Sequence, residues 1–276
     1  MAASPFMSRT IVFSHANGFP AGTYHVLFEA WRAAGCTVLA VERFGHDPRF
    51  PVASNWRALR DQLIHFIEAA AQGPVTLVGH SLGGLLSLLA ACRRPDLATG
   101  LIMLDSPVVT GWRAHSLQVF KHTGLIGKVS PGKVSQRRRH VWPDRGAVYA
   151  HFKPKTAFAL WDDRVLRDYV AAGFDEQDGQ IVLGFRREVE TQIYNTLPHH
   201  LAALLRRHPP RCPVGFIAGT RSAEMRQGGT AGAKALAGER FISLEGTHLY
   251  PMERPDDTAA QVLRLIASLQ AELGMG

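Results

Sequence analysis

Short runs of apolar and β-branched residues alternate along the chain with longer segments whose apolar positions recur at helical period. TIVFS, residues 10–14, reads as a buried strand running into the glycine-marked loop HANGFPAG. Helical spacing occupies residues 24–34, and CTVLAVE, residues 36–42, is a second apolar strand. Beyond a Pro/Gly loop, Ser54 is placed to cap a helix in which Trp56, Leu59, Leu63, Phe66 and Ile67 share one face. VTLVG (75–79), a helix over 82–92 and GLIMLD (100–105) continue the alternation, with Arg94-Pro95 ending the helix. Parallel strands require crossovers and are covered on both faces, so this pattern predicts an α/β core, a mostly parallel sheet flanked by helices.

The pattern changes after Asp105. Between residues 106 and 211 no buried strand pair stands out, and helical stretches over 157–170 and 189–207 dominate. Strand-like PVGFIAG (213–219) and RFISLEG (240–246) then precede a closing helix over 255–273. The expectation is one sheet interrupted by a mostly helical insertion, with a core of residues 1–105 and 212–276 and a cap of residues 106–211. A chain of 276 residues accommodates this as one large domain with an insertion.

Composition removes several classes of protein. Hydrophobic residues at 46% and charged residues at 20% exclude disordered and fibrous chains. Cys36, Cys92 and Cys212 are too few and too scattered for a disulfide framework, which fits a reducing compartment. The longest apolar stretch, residues 84–92, is far short of the ~20 residues of a membrane span, and the first residues lack a signal-peptide core. The chain therefore reads as soluble and cytoplasmic. Its net charge of +8 is local, because twelve basic and three acidic residues between Arg113 and Arg167 give that window +9 and leave the remainder at −1. No helix-turn-helix, RNP-like or finger pattern accompanies the charge, so nucleic-acid binding is not expected. No metal-ligand cluster or dinucleotide fingerprint stands out, and no cofactor is expected.

Candidate chemistry concentrates at Gly79-His80-Ser81-Leu82-Gly83, a G-x-S-x-G pattern between a predicted strand and a predicted helix. A nucleophile on so tight a turn sits in a strained conformation, and neighbours without a Cβ let strand and helix approach. The turn also puts the Leu82 N–H at a helix start, where free donors and the helix dipole favour developing negative charge. An incidental serine in a glycine-rich turn is the competing reading; the strand before and helix after favour a nucleophile. A serine hydroxyl needs a base. His248, in SLEGTHLYPMERPDD between the last predicted strand and the closing helix, is the candidate.

Four segments together resemble the α/β-hydrolase superfamily, over about residues 10–105 and 213–273. They are His15-Ala16-Asn17-Gly18 at the family's oxyanion loop, Glu42-Arg43-Phe44-Gly45-His46, the G-H-S-L-G-G elbow, and Gly246-Thr247-His248. The resemblance implies Ser81 as nucleophile, His248 as base, the backbone N–H groups of Asn17 and Leu82 as the oxyanion hole, and the insertion as a cap. It also implies that the antiparallel strands that usually open the fold have no room before Thr10. One position departs from the family pattern. The triad acid of most members falls three residues after the terminal glycine of the strand that is PVGFIAG here, and that residue is Ser222. Asp105, placed as in some dehalogenase-like members, and Glu224, two residues beyond the departure, are the carboxylates that could serve; an arrangement with no acid stays open.

Serine, histidine and an oxyanion hole perform acyl transfer, here expected as hydrolysis of an ester or thioester through an acyl-enzyme. A serine nucleophile argues against haloalkane dehalogenase and epoxide hydrolase activity, which the family runs on aspartate. Trp112, Phe120, Trp142, Tyr149, Phe152, Phe158 and Trp161 beside the basic residues of the insertion suggest an aromatic-lined pocket for a small ester bearing a carboxylate or phosphate. Arg137-Arg138-Arg139 reads as a solvated basic helix face. The alternative function, to which the serine at position 222 points, is a hydrolase-fold protein that binds a small molecule or partner without turnover.

Overall fold

The computed structural model describes residues 9–109, 138–272 and 274. The chain alternates β1 (Thr10–Ser14), α1 (His25–Ala33), β2 (Thr37–Ala40), α2 (Arg57–Ala70), β3 (Val75–His80), α3 (Leu82–Arg93) and β4 (Ala98–Leu104). The insertion contributes β5 (Val141–Trp142), α4 (Arg145–Phe152), α5 (Asp163–Ala172), β6 (Phe174–Gln177), β7 (Gln180–Leu183), α6 (Arg187–Asn195) and α7 (Leu201–Arg207). Then follow β8 (Val214–Gly219), α8 (Ala223–Gly228), α9 (Ala231–Ala237), β9 (Phe241–Leu244), α10 (Tyr250–Glu253) and α11 (Pro255–Glu272).

Six strands pair in the order β2-β1-β3-β4-β8-β9, every pairing parallel. The period-2 alternation of a strand sends Ile11 and Phe13 into an apolar layer with α1 and α11, while Val12 joins Leu59 and Leu63 of α2 and Leu86 and Leu89 of α3. Both faces are thus covered, which is why these strands read as unbroken apolar runs. Helix α3 is buried from Leu82 through Cys92, as expected of a helix apolar on every side. The parallel sheet flanked by helices is the architecture the hydrophobic pattern predicts.

The order of strands also fixes where a site forms. From β1 the chain steps outward to β2 and returns to β3 on the far side of β1, so the loops leaving β1 and β3 flank a crevice at the carboxyl edge. The ends of β4, β8 and β9 open onto the same edge.

The insertion departs from its sequence reading in three places. It contains an antiparallel sheet, β5-β7-β6, where no strand pair was expected. The β6–β7 hairpin turns at Asp178-Gly179 with φ of +51° and +70°, the conformation a two-residue type I′ turn requires and Asp-Gly supplies. Helix α5 begins at Asp163 because the Asp162 carboxylate accepts the Arg164 N–H (2.9 Å) and caps it. The stretch over 189–207 divides into α6 and α7 around Leu197-Pro198, since proline cannot continue the helical ladder.

The described aromatic residues of the insertion pack largely among themselves. Trp142, Phe152, Phe158 and Trp161 are buried and packed against one another with tilted rings, the centroids 4.8 Å apart for Phe152–Phe158 and 4.6 Å for Phe158–Trp161. Phe19, from the loop after β1, joins them 5.5 Å from Trp161, so insertion and sheet share one apolar cluster. Tyr149 is half-buried, its hydroxyl donating to Asp163. Trp112, Phe120 and Arg137 lie outside the described residues. The three cysteines are free thiols, and among the described residues no helix is long and apolar enough to cross a membrane.

Candidate active site

Ser81 stands between β3 and α3 at φ +53° and ψ −113°, a conformation an L residue holds only when its surroundings impose it. The surroundings do so through three glycines. A Cβ on Gly83 would stand 1.9 Å from the Ser14 carbonyl oxygen, one on Gly84 2.0 Å from Ser106 Oγ, and one on Gly79 2.4 Å from the Gly83 backbone. The Ser81 N–H donates to the Leu104 oxygen (2.9 Å), which anchors the turn to β4. Leu82 is the first residue of α3, so its N–H has no acceptor within the helix.

His248 arrives from the loop between β9 and α10. Gly246 (φ +143°) packs so closely on Tyr250 that a Cβ would lie 2.5 Å from the tyrosine's own, and the Glu253 carboxylate accepts both the Thr247 N–H and its hydroxyl. The imidazole bridges two partners, with Nε2 3.0 Å from Ser81 Oγ and Nδ1 2.7 Å from Asp105 Oδ2. Because a carboxylate only accepts, Nδ1 carries the proton and Nε2 faces the serine with its lone pair.

Asp105 follows β4 at φ +44° and is wholly buried. Its Oδ1 accepts the Gly219 N–H (2.6 Å), and its Oδ2 accepts the Ser222 hydroxyl (2.5 Å) as well as the imidazole N–H. Ser222 thus supplies a donor where most of the family places an acid. Its oxygen also accepts the Met225 N–H (3.1 Å) and caps α8. Glu224 is half exposed, 3.9 Å from Nδ1 and 3.5 Å from Ser222 Oγ. Asp105, Glu224 and His248 bring three possible metal-ligand atoms within 4.8 Å of one another, but the ring nitrogens and Asp105 are already engaged in hydrogen bonds.

The turn after β1 is built around two buried histidines. His15 Nδ1–H donates to the Ala16 oxygen (2.8 Å), and Nε2 accepts the Phe44 N–H (2.9 Å), tying the turn to the loop after β2. Burial lowers this ring's pKa to about 4, which keeps it neutral. Phe19 N–H closes the turn on the Ala16 oxygen (3.1 Å) with Gly18 at φ +82°, a bond that leaves the Asn17 N–H unused. The second ring, His80, donates from Nε2 to the His248 main-chain oxygen (2.9 Å) and accepts the Tyr24 hydroxyl at Nδ1 (2.8 Å). Tyr24 in turn accepts the Ala16 N–H (3.2 Å). Burial holds His80 well below the usual imidazole range and raises Tyr24, so this relay joins β1, elbow and histidine loop without charge. Sequence reading treated His80 only as part of the elbow. Its alternation with buried Val78 on a central strand was the available signal of an inward side chain.

Arg138 corrects another expectation. It is mostly buried, paired with Glu190 at 2.8 Å, and does not belong to a solvated face.

The alpha/beta hydrolase family model matches residues 11–261. The chain belongs to this family. Among its relatives, a monoglyceride lipase homolog of monkeypox virus is 31% identical to this chain over 168 residues, 55% of this chain and 60% of that protein. The monoglyceride lipase of Rattus norvegicus is 30% identical over 106 residues, 36% of this chain and 35% of its own. The matches thus span well under the full length of these relatives. Two solved structures share the hydrolase fold over nearly the whole chain. E-2-(acetamidomethylene)succinate hydrolase superposes with a TM-score of 0.74 at 20% identity, covering 94% of this chain and 92% of its own. The thioesterase domain from the curacin biosynthetic pathway gives 0.69 at 16%, covering 93% and 91%.

Proposed function

We propose that this hydrolase cleaves a carboxylic ester or thioester through an acyl-enzyme on Ser81. His248 Nε2 takes the Ser81 proton as the oxygen attacks the acyl carbon. The backbone N–H groups of Asn17 and Leu82 hold the oxyanion, at the turn and the helix start where donors are free. Asp105 keeps Nδ1 protonated and stabilises the imidazolium. His248 then protonates the leaving alcohol or thiol, and a water activated by the same nitrogen releases the acid. Residues 106–211 act as the cap over this edge, and their positive charge favours a small-molecule ester carrying an anionic group.

The observation that carries the reading is the unbroken series of hydrogen bonds from the strained serine through His248 to a buried carboxylate, 3.0 and 2.7 Å long. A carboxylate with three donors is already organised to face a cation. Monoglyceride lipases among the relatives and a thioesterase domain among the proteins of the same fold support an acyl ester or thioester as the substrate class.

The test is covalent. A fluorophosphonate should label the wild type on Ser81, and Ser81→Ala should neither take label nor hydrolyse p-nitrophenyl butyrate while melting normally. A wild type that binds acyl compounds but takes no label and turns nothing over would favour the binding-only alternative. Undiminished hydrolysis by Ser81→Ala would refute the nucleophile.

A further inference from the structure

The turn proposed to receive the oxyanion is roofed by a buried ion pair from the insertion. Glu190, in the first turn of α6, is 6% exposed, and its Oε1 lies 3.0 Å from where a Cβ on Gly18 would stand. The main-chain oxygen of Glu190 accepts a hydrogen bond from Asn17 Nδ2 (3.1 Å), so one residue touches both members of the turn. Arg138 Nη1 donates to both Glu190 oxygens (3.0 and 2.8 Å), and Nη2 donates to the Tyr169 hydroxyl (3.1 Å). Arg187 Nη1 donates to the Arg138 main-chain oxygen (3.0 Å) and holds that backbone in place.

A carboxylate beside a turn that must receive negative charge opposes the chemistry unless its own charge is cancelled, because electrostatic effects are strong where water is excluded. Among the described residues, four groups face Glu190: Arg138 from the segment before β5, Tyr169 from α5, Tyr194 from α6, and Asn17 from the turn. Burial raises both tyrosines, Tyr194 to about 12, so neither carries charge at neutral pH. Burial also raises Glu190, and Arg138 opposes that shift. Among the described residues, Arg138 is the cation that pairs with it.

We infer that Arg138 is a positioning residue for the acyl-transfer reaction: by neutralising Glu190 it seats the Asn17–Gly18 turn against α6 and keeps a second negative charge away from the oxyanion. The inference rests on the reading of Asn17 N–H as an oxyanion donor.

The experiment compares kcat and KM for a neutral p-nitrophenyl ester in wild type, Arg138→Gln, Glu190→Gln and the double variant. Melting temperature and fluorophosphonate labelling are recorded for each. In Arg138→Gln the lone Glu190 is protonated in acid and charged in alkali. Its kcat relative to wild type should therefore fall on the order of tenfold between the acid and alkaline ends of the assayed range, less than the 10²–10³ for loss of a whole oxyanion donor. KM should change little. Glu190→Gln and the double variant should run parallel to wild type across the range. A merely structural role would lower kcat without that pH dependence. An Arg138→Gln profile parallel to wild type, or a double variant that keeps the alkaline fall, overturns the proposal. Should Arg138→Gln not fold, the double variant still decides, because it must fold and hydrolyse the ester, and a folded but inactive one overturns the inference. Undiminished activity in Ser81→Ala would instead refute the parent reading, whatever the Arg138 profiles show.

Discussion

Replacing Asp105 by asparagine removes one charge and reverses two hydrogen bonds with little change in the volume of the side chain. The carboxylate accepts three donors, from Gly219, Ser222 and His248. An asparagine offers a single acceptor oxygen, and if that oxygen keeps the Gly219 N–H, its NH₂ points at the imidazole. Nδ1 must then accept, the ring proton moves to Nε2, and Nε2 can no longer take the Ser81 proton. Charge adds to the tautomer effect. Imidazolium and carboxylate centres ~4 Å apart attract by roughly 4 kcal/mol at an effective dielectric of ~20, about three orders of magnitude in rate. With the wrong tautomer included, kcat should fall about 10⁴-fold, as for a triad aspartate. Stability should suffer less, because Ser222 can accept from the new NH₂ and turn its proton toward Glu224 at 3.5 Å. Glu224→Gln is the control. At 3.9 Å from Nδ1 and half exposed, Glu224 is screened by solvent, and its loss should change kcat by less than about threefold. Both variants would be assayed with p-nitrophenyl butyrate, with melting temperature to verify folding. A larger loss from Glu224→Gln than from Asp105→Asn would refute the reasoning, as would near-silence of both.

Two further outcomes follow from charge and burial. His15, lowered to about 4, and His80, also lowered, are neutral in the fold, whereas the unfolded chain takes up protons below about pH 6.5. Their stabilisation is complete above that pH and is lost as pH falls toward the folded values; His15 alone should cost about 2 kcal/mol by pH 5. Urea midpoints unchanged between about pH 7 and pH 5 would contradict this. The second outcome concerns the insertion's basic residues. If they attract an anionic ester, its kcat/KM should fall as salt shortens the ~10 Å reach of the field at 0.1 M, while a neutral ester shows no trend. Equal salt responses would remove the charge from substrate capture.

The sheet was legible because its central strands β1, β3, β4 and β8 are buried on both faces and most of the connections carry a glycine or proline. Ser81 and His248 were legible for a similar reason: a motif names the turn, and the turn names the neighbour it must meet. The choice between Asp105 and Glu224 was not, since both sit near strand ends on one edge and only the side-chain path separates 2.7 Å from 3.9 Å. In the insertion, the Asp178-Gly179 turn and the break at Pro198 were present as local signals, but helical periodicity over longer windows outweighed them. The buried pairing of Arg138 with Glu190 joins residues 52 positions apart. A run of three arginines carries no mark that Arg138 turns inward.

The hydroxyl of Ser222 donates to the same oxygen of Asp105 that holds the imidazole. The ends of β4 and β8 have in effect exchanged duties, one strand supplying the anion and its neighbour the group that fixes it. A rule that looks for the acid at one sequence position would sort such a chain among inactive members of its family. A rule that asks which carboxylate reaches Nδ1 would not, and it would class proteins by the geometry their strands share rather than by the strand that happens to carry the charge.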